Sequence, residues 1–298
     1  MSRSAWSLSD YAVSKRLYKG STSAVYKVHM LKREIEIQAS LVHRHIARLY
    51  AAFMDELERV VLVQEYASQG DLFGILNRLG GRMAPEQVSD AVMRPFLEAL
   101  VYLHSRGLCH RDIKPENILY NSEWKLKLAD FGVAINIAEE RAVTRAGTEG
   151  YMAPEVERCP LKSLPEENKD NPRIAYTTAV DVWAAGCLAY ELLVGFPPVV
   201  KSVSGKEESS FVKHHMTAAS LHFPASVPPQ ARAFVLAALA PSPEERPTAQ
   251  QLLQHCWLQA RPAPATVDGA AVVAAAQQAS AVQAPRYAAP SVPATTVV

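Results

Sequence analysis

Asp112 stands two residues before Lys114 and five before the amide of Asn117, within residues 108–132, LCHRDIKPENILYNSEWKLKLADFG. A second carboxylate, Asp130, follows a β-type segment at 126–129. Phosphoryl transfer needs these parts. A base orients the attacking hydroxyl, a cation meets the charge on the moving phosphate, and oxygen ligands hold Mg²⁺ on the ATP phosphates. A solvated loop carries the same residue types, but not all of them at these spacings.

The elements that must position this stretch are legible around it. Residues 85–104 read as a helix with Pro85 at its first position and a buried stripe of Val92, Phe96, Leu100 and Leu103. Residues 46–66 read as two strands with a turn at 55–58, and Val60 to Val63 is a continuous apolar run suited to a buried strand. Residues 71–79, 229–239 and 247–257 read as further helices. The stretch 181–194 is apolar nearly all round, which predicts a buried central helix capped by Gly195.

Composition sets the bounds. The 298 residues suffice for one two-lobed domain plus a tail, and the net charge of +1 favours neither nucleic acid nor an anionic membrane. Cys109, Cys159, Cys187 and Cys256 show no CxxC spacing, so reduced thiols in an intracellular protein are expected. The start, MSRSAWSLSD, lacks the apolar run of a signal peptide, and no stretch of about 18 apolar residues spans a bilayer.

His-Arg-Asp at 110–112 with Asn117, Asp-Phe-Gly at 130–132 and Ala-Pro-Glu at 153–155, in that order, resemble the eukaryotic protein kinase family. The resemblance implies an α+β fold with a small β-rich N-lobe (11–66), a hinge (64–71) and a helical C-lobe (72–260), between an extension (1–10) and a low-complexity tail (261–298) that composition reads as disordered. It implies that Asp112 takes the substrate hydroxyl's proton, Lys114 meets the γ-phosphate, and Asn117 and Asp130 hold Mg²⁺. Lys114 and Thr148, which would bridge Asp112 and Lys114, are the serine/threonine form. For the nucleotide, Gly20 and Val25 would cover ATP, Glu65 and Ala67 would bond the adenine edge, Asp71 would reach the ribose and Leu119 would pack beneath the base. Gln64 falls at the gatekeeper position. LKREIEIQASL at 31–41 resembles the Aurora helix C, with Glu34 at the family's glutamate and Gln38 expected to stack with His110 and Phe131. Thr144 is the expected activating phosphorylation site, with Arg111 and Arg33 as ligands of its phosphate. Glu155 should pair with Arg246.

One part of the pattern is missing. Residues 11–28 read as two short strands around a loop in which only Gly20 of the usual three glycines remains. Only eight residues separate Val25 from Glu34, too few to finish one strand, build the third and start a helix. The strand-three lysine, the usual partner of the glutamate, is therefore absent. Lys27 is either an exposed lysine of strand two or a substitute facing Glu34, and the abrupt join at Val28 and His29 also fits a lost segment. Two functions follow: a serine/threonine kinase acting on protein hydroxyls with ATP and Mg²⁺, or a pseudokinase or truncated isoform serving as a nucleotide-binding scaffold. Protein substrates and an upstream kinase or activating partner are expected, with no nucleic acid and no membrane, for a monomer of the cytoplasm or nucleus, at the spindle or cytoskeleton if truly Aurora-like. The polar insert at 159–176 reads as a solvated loop with a possible docking role.

Overall fold

The computed structural model describes residues 26–56, 59–161, 167–203, 211–215, 220–259 and 296–297. Helix α1 spans Tyr26–Ser40. This corrects the strand reading at 26–28: Tyr26, Lys27 and Val28 form the first turn of a helix, so Lys27 is not a strand-two lysine. The eight residues before Glu34 are helical and leave no room for a strand among them. Gly20 and Val25 lie outside the described residues, as does most of the tail.

After α1, β1 (Leu49–Met54) and β2 (Val60–Gln64) pair antiparallel, Met54 opposite Val60 and Leu49 opposite Gln64. Strand β3 (Gly70–Asp71) leads straight into α2 (Leu72–Arg78), where the Asp71 carboxylate accepts the Gly74 N–H at 2.6 Å as the N-cap.

The expected single helix over 85–104 is built as α3 (Pro85–Gln87), a π-helical stretch Val88–Met93 and α4 (Arg94–His104). Pro95 has no N–H to give the Ala91 carbonyl, and a π-helical widening accommodates such a break. The Tyr120 hydroxyl donates to that carbonyl instead, at 3.0 Å. Val92, Phe96, Leu100 and Leu103 are all buried, as the stripe requires.

The segment from α4 to the C-terminal helices carries the site. Strand β4 (Leu108–Cys109) is followed by β5 (Ile118–Tyr120), β6 (Leu126–Leu128) and β7 (Ile135–Asn136). Strand β5 lies between β3 and β6, and β4 pairs with β7. Short α5 (Pro154–Glu157) ends the loop after β7, and α6 (Ala179–Val194) is buried along almost its whole length. Gly195 closes α6 at φ +105°, a left-handed conformation that favours glycine. Strands β8 (Val199–Val203) and β9 (Phe211–His215) form a hairpin, and α7 (Pro229–Ala238), α8 (Ala249–Leu253) and α9 (Cys256–Gln259) complete the helical part. Strand β10 (Thr296–Val297) pairs with the free edge of β2. The result is a two-lobed α+β fold, its main core built on α4, α6 and α7 and a smaller apolar cluster of Ala51, Val61 and Val63 on β1 and β2.

Candidate active site

The loop between β4 and β5 is held from beneath by one carboxylate. Asp181, at the start of α6 and fully buried, accepts the N–H groups of His110 and Arg111 at 2.9 and 2.8 Å and the His104 ring nitrogen at 2.9 Å. Burial pushes its carboxyl up, but these donors outweigh burial and hold it below the usual range. Arg111 is thereby held at φ +68°, and Asp130 stands at φ +64°, a region that residues other than glycine rarely adopt. Such strain persists only where surrounding contacts over-determine it, and it clusters at functional sites.

Four of the sequence-derived residues meet on this loop. Thr148 donates to Asp112 Oδ1 at 2.6 Å, and Lys114 Nζ lies 2.8 Å from the Thr148 hydroxyl and 2.9 Å from Asp112 Oδ2. Asn117 Nδ2 donates to the Asp112 carbonyl at 2.8 Å and to Oδ2 at 3.0 Å. Burial raises the Asp112 carboxyl, and the bonds from Thr148, Lys114 and Asn117 bring it below the ordinary value, so it is ionised at neutral pH. A carboxylate held by a cation and two neutral donors can receive a hydroxyl's proton, and the cation beside it faces the space where charge would develop.

The donor set fits a divalent ion. A carbonyl only accepts, so the Asn117 nitrogen must face the Asp112 carbonyl, which leaves its side-chain oxygen for other use. Asp130 is exposed, and among the described residues its Oδ1 accepts the Gly132 N–H at 3.2 Å. Two such hard oxygen donors suit Mg²⁺. At the hinge, Glu65 is anchored by Lys127 at 2.8 Å, and its N–H bonds the Arg48 carbonyl. Among the described residues, the Glu65 carbonyl and the Ala67 N–H have no partner. Asp71 spends one oxygen on capping α2, and Leu119 is half-buried on β5.

Glu34 approaches the turn after Asp130. A Cβ placed on Gly132 would sit 3.5 Å from Glu34 Oε2 and 3.2 Å from Asp130 Oδ1. Among the described side chains no cation meets Glu34, and burial together with the Asp130 charge pushes its carboxyl up to about 7. Arg111 Nη1 donates to the Tyr176 hydroxyl at 2.9 Å, which donates to the Thr144 carbonyl at 2.7 Å, so Arg111 and Thr144 are neighbours. Arg33 is not brought to Thr144; it pairs with Glu140 at 2.6 Å. Glu140 also meets Lys169, whose carbonyl accepts from Arg141, so the insert is tied to the loop before Thr144 rather than simply solvated.

Of the expected stack, His110 and Phe131 pack edge-on at 5.1 Å. Other contacts escape the sequence reading. The polar end of Gln38 bonds Gln64 and Ala47. Tyr151 donates to the buried Glu191 of α6. The buried Glu191 is legible as the one charge in the apolar run that follows Asp181 in α6. Its partner is not, since nothing local pairs the two.

Residues 6–258 match the family model described as "Protein kinase domain". The chain is similar to an Aurora kinase of Schizosaccharomyces pombe, 36% identical over 244 residues, which cover 82% of this chain and 63% of the relative. It is similar to Aurora kinase C of Mus musculus, at 35% over 82% of this chain and 80% of the relative. Aurora kinase B of Mus musculus matches at 34% over 83% and 65%. The chain thus spans under two thirds of two of these three relatives.

Proposed function

We propose, on the premise that this chain belongs to the protein kinase family, that it transfers the γ-phosphoryl group of ATP to serine and threonine hydroxyls of proteins. The observation that carries this reading is the closed network of Asp112, Lys114, Asn117 and Thr148. In the step, the substrate oxygen bonds to the γ-phosphorus as the bond to the bridging oxygen breaks. The proton passes to Asp112 and ADP carries away the electron pair. Lys114 faces the charge on the transferring group, and Thr148 keeps base and cation in register. Bound Mg²⁺ would neutralise phosphate charge, with Asn117 and Asp130 holding it. The Glu65 carbonyl and the Ala67 N–H read the adenine edge, Leu119 supports the ring, and Asp71 offers its second oxygen to the ribose. By the family resemblance, Gly20 would lie over the phosphates and Val25 over the adenine.

Activation belongs to the same reading. Phosphorylation of Thr144 by an upstream kinase would place about −1.5 to −2 charges beside Arg111. Arg33 would join only after leaving Glu140. An intracellular setting, protein substrates and an activating partner are carried over from the resemblance.

One observation favours a second reading. Glu34 meets no cation among the described side chains, as in a nucleotide-binding scaffold that has lost turnover. Transfer of labelled γ-phosphate to a mixed protein substrate, with Asp112→Asn as control, decides between them. Transfer that Asp112→Asn abolishes supports the kinase. Saturable, Mg²⁺-dependent binding of a fluorescent ATP analogue with no transfer supports the scaffold.

A further inference from the structure

Among the described side chains no cation meets Glu34, yet the structure holds α1 against the site. The means is a pair of amides. Gln38 is almost fully buried, 1% exposed, near the C-terminal end of α1. Its Nε2 donates to the Ala47 carbonyl at 3.1 Å. A carbonyl only accepts, so this bond fixes the orientation of the amide and turns Oε1 towards β2. There Gln64 Nε2 donates to Oε1 at 2.8 Å. Both polar atoms of the Gln38 amide are thereby satisfied. Ala47 is tied in turn to the strand ahead of Asp130, its N–H bonding the Leu128 carbonyl at 2.9 Å.

The arrangement couples three elements. Gln38 lies four residues after Glu34, one turn along the same helical face. Whatever fixes Gln38 therefore fixes how far Glu34 reaches towards Asp130 and Gly132. Ala47 links that turn of α1 to β6, and Gln64 links it to β2. An apolar side chain at position 64 would fill the space without donating, leaving Gln38 Oε1 buried and unpaired, which is costly.

We infer that Gln64 is a positioning residue: its side-chain amide, through Gln38, holds α1 and Glu34 at the active site in place of the missing lysine. It touches no reacting atom. The inference rests on the kinase reading for the purpose of the tether but not for its existence, so the test needs no turnover.

Hydrogen exchange of the full chain, without nucleotide, compares the parent with Gln64→Met, Gln64→Glu, Gln38→Met and the Gln38→Met/Gln64→Met double variant. Gln64→Met keeps the length and loses the donor; Gln64→Glu keeps the shape and loses the donor, and serves if the first variant folds poorly. The expected result is exchange about tenfold faster in amides 31–40, the cost of one buried hydrogen bond, with α6 unchanged. With Gln38→Met already in place, Gln64→Met should add nothing. Unchanged exchange in α1, an equal acceleration in α6 or additive effects of the two substitutions would each overturn the inference. A Gln64→Met variant that weakens binding of a fluorescent ATP analogue while leaving α1 exchange as it was would assign Gln64 to the nucleotide instead. Loss of phosphotransfer in the parent would sink the kinase reading and leave the exchange result to stand or fall alone.

Discussion

A single hydroxyl joins the proposed base to the proposed cation, since Thr148 donates to Asp112 and lies 2.8 Å from Lys114. Thr148→Ala should lower kcat about 100-fold, the scale of a small misplacement of reacting groups, while Thr148→Ser should recover most of the rate. Steady-state kinetics on a protein substrate checks both, and an unimpaired alanine variant would remove Thr148 from the mechanism. On the proposed reading Thr144 acts at a distance. Its carbonyl is already joined to Arg111 through Tyr176, so Thr144→Ala should leave a weak basal rate that no upstream kinase can raise. Full activation of that variant would overturn the assignment. Glu34 gives a pH signature. Its carboxyl is raised to about 7 by burial and by the Asp130 charge, so the folded protein binds this proton more tightly than the unfolded chain. The stabilising contribution is full below the ordinary value near 4.5 and is lost as pH rises through about 7. Glu34→Gln, an uncharged mimic, should raise Tm by a few °C at pH 8, allowing for solvent screening, and by less at pH 5. Thermal unfolding at the two pH values reads this, and an equal gain at both would refute it.

Helix α1 shows how the chain folds where the family pattern places a strand. Its first turn occupies the residues where a strand would have ended, and the join at Val28 and His29 falls inside it. Inserting a strand-three segment carrying Val-Ala-Ile-Lys at that join should shorten α1 to begin near His29 and supply a cation for Glu34. Phosphotransfer should rise at least tenfold, about 1.4 kcal/mol of barrier. If Lys27 already serves from the first turn of α1, Lys27→Met abolishes activity and the insertion adds little. A silent Lys27→Met with no gain from the insertion ends both ideas. The contrast between readable and unreadable elements is physical. The stripe of Phe96, Leu100 and Leu103 is periodic, so the sequence displays the buried face of α4 directly. The π-helical stretch before it is not periodic, although Pro95 marks where the ladder must fail, and its rescue by Tyr120 comes from a strand 25 residues on. The strand reading at 26–28 fails because the family pattern places a strand there, while Tyr26–Ser40 without that strand is free to continue as helix. The motif residues Asp112, Lys114 and Asn117 were legible because the chemistry fixes their spacing along the chain. The Gln38–Gln64 pair was not, because nothing in either segment specifies the other.

Across the whole molecule, the loop carrying Thr144 and Thr148 is closed by contacts between distant parts of the chain. The insert reaches back through Lys169 to Glu140, and the Tyr176 N–H bonds the Ala142 carbonyl at 2.9 Å. At the far end, Glu155 meets Arg246 across 91 residues in a bidentate pair at 2.6 and 2.8 Å. Pairing of these two is implied by the family motif, but the rest of the cradle is tertiary. Arg246 also donates to the carbonyls of Ala240, Ala179 and Pro241 and stacks over Trp183 at 4.9 Å. Its side chain is fully buried, so it joins the end of the loop, the start of α6 and the segment before α8 at one point. Removing one member leaves the other charge without its counter-charge, and Arg246→Met should cost about 3 kcal/mol or more. At roughly 2–4 °C per kcal/mol for a domain of this size, Tm should fall by about 6–12 °C. Replacing both, as Glu155→Gln with Arg246→Met, should recover part of the loss, because the uncompensated carboxylate is gone. Thermal unfolding of the two single variants and the double tests this. If the double loses as much as the sum of the singles, the two residues act independently and the closure of the loop lies elsewhere.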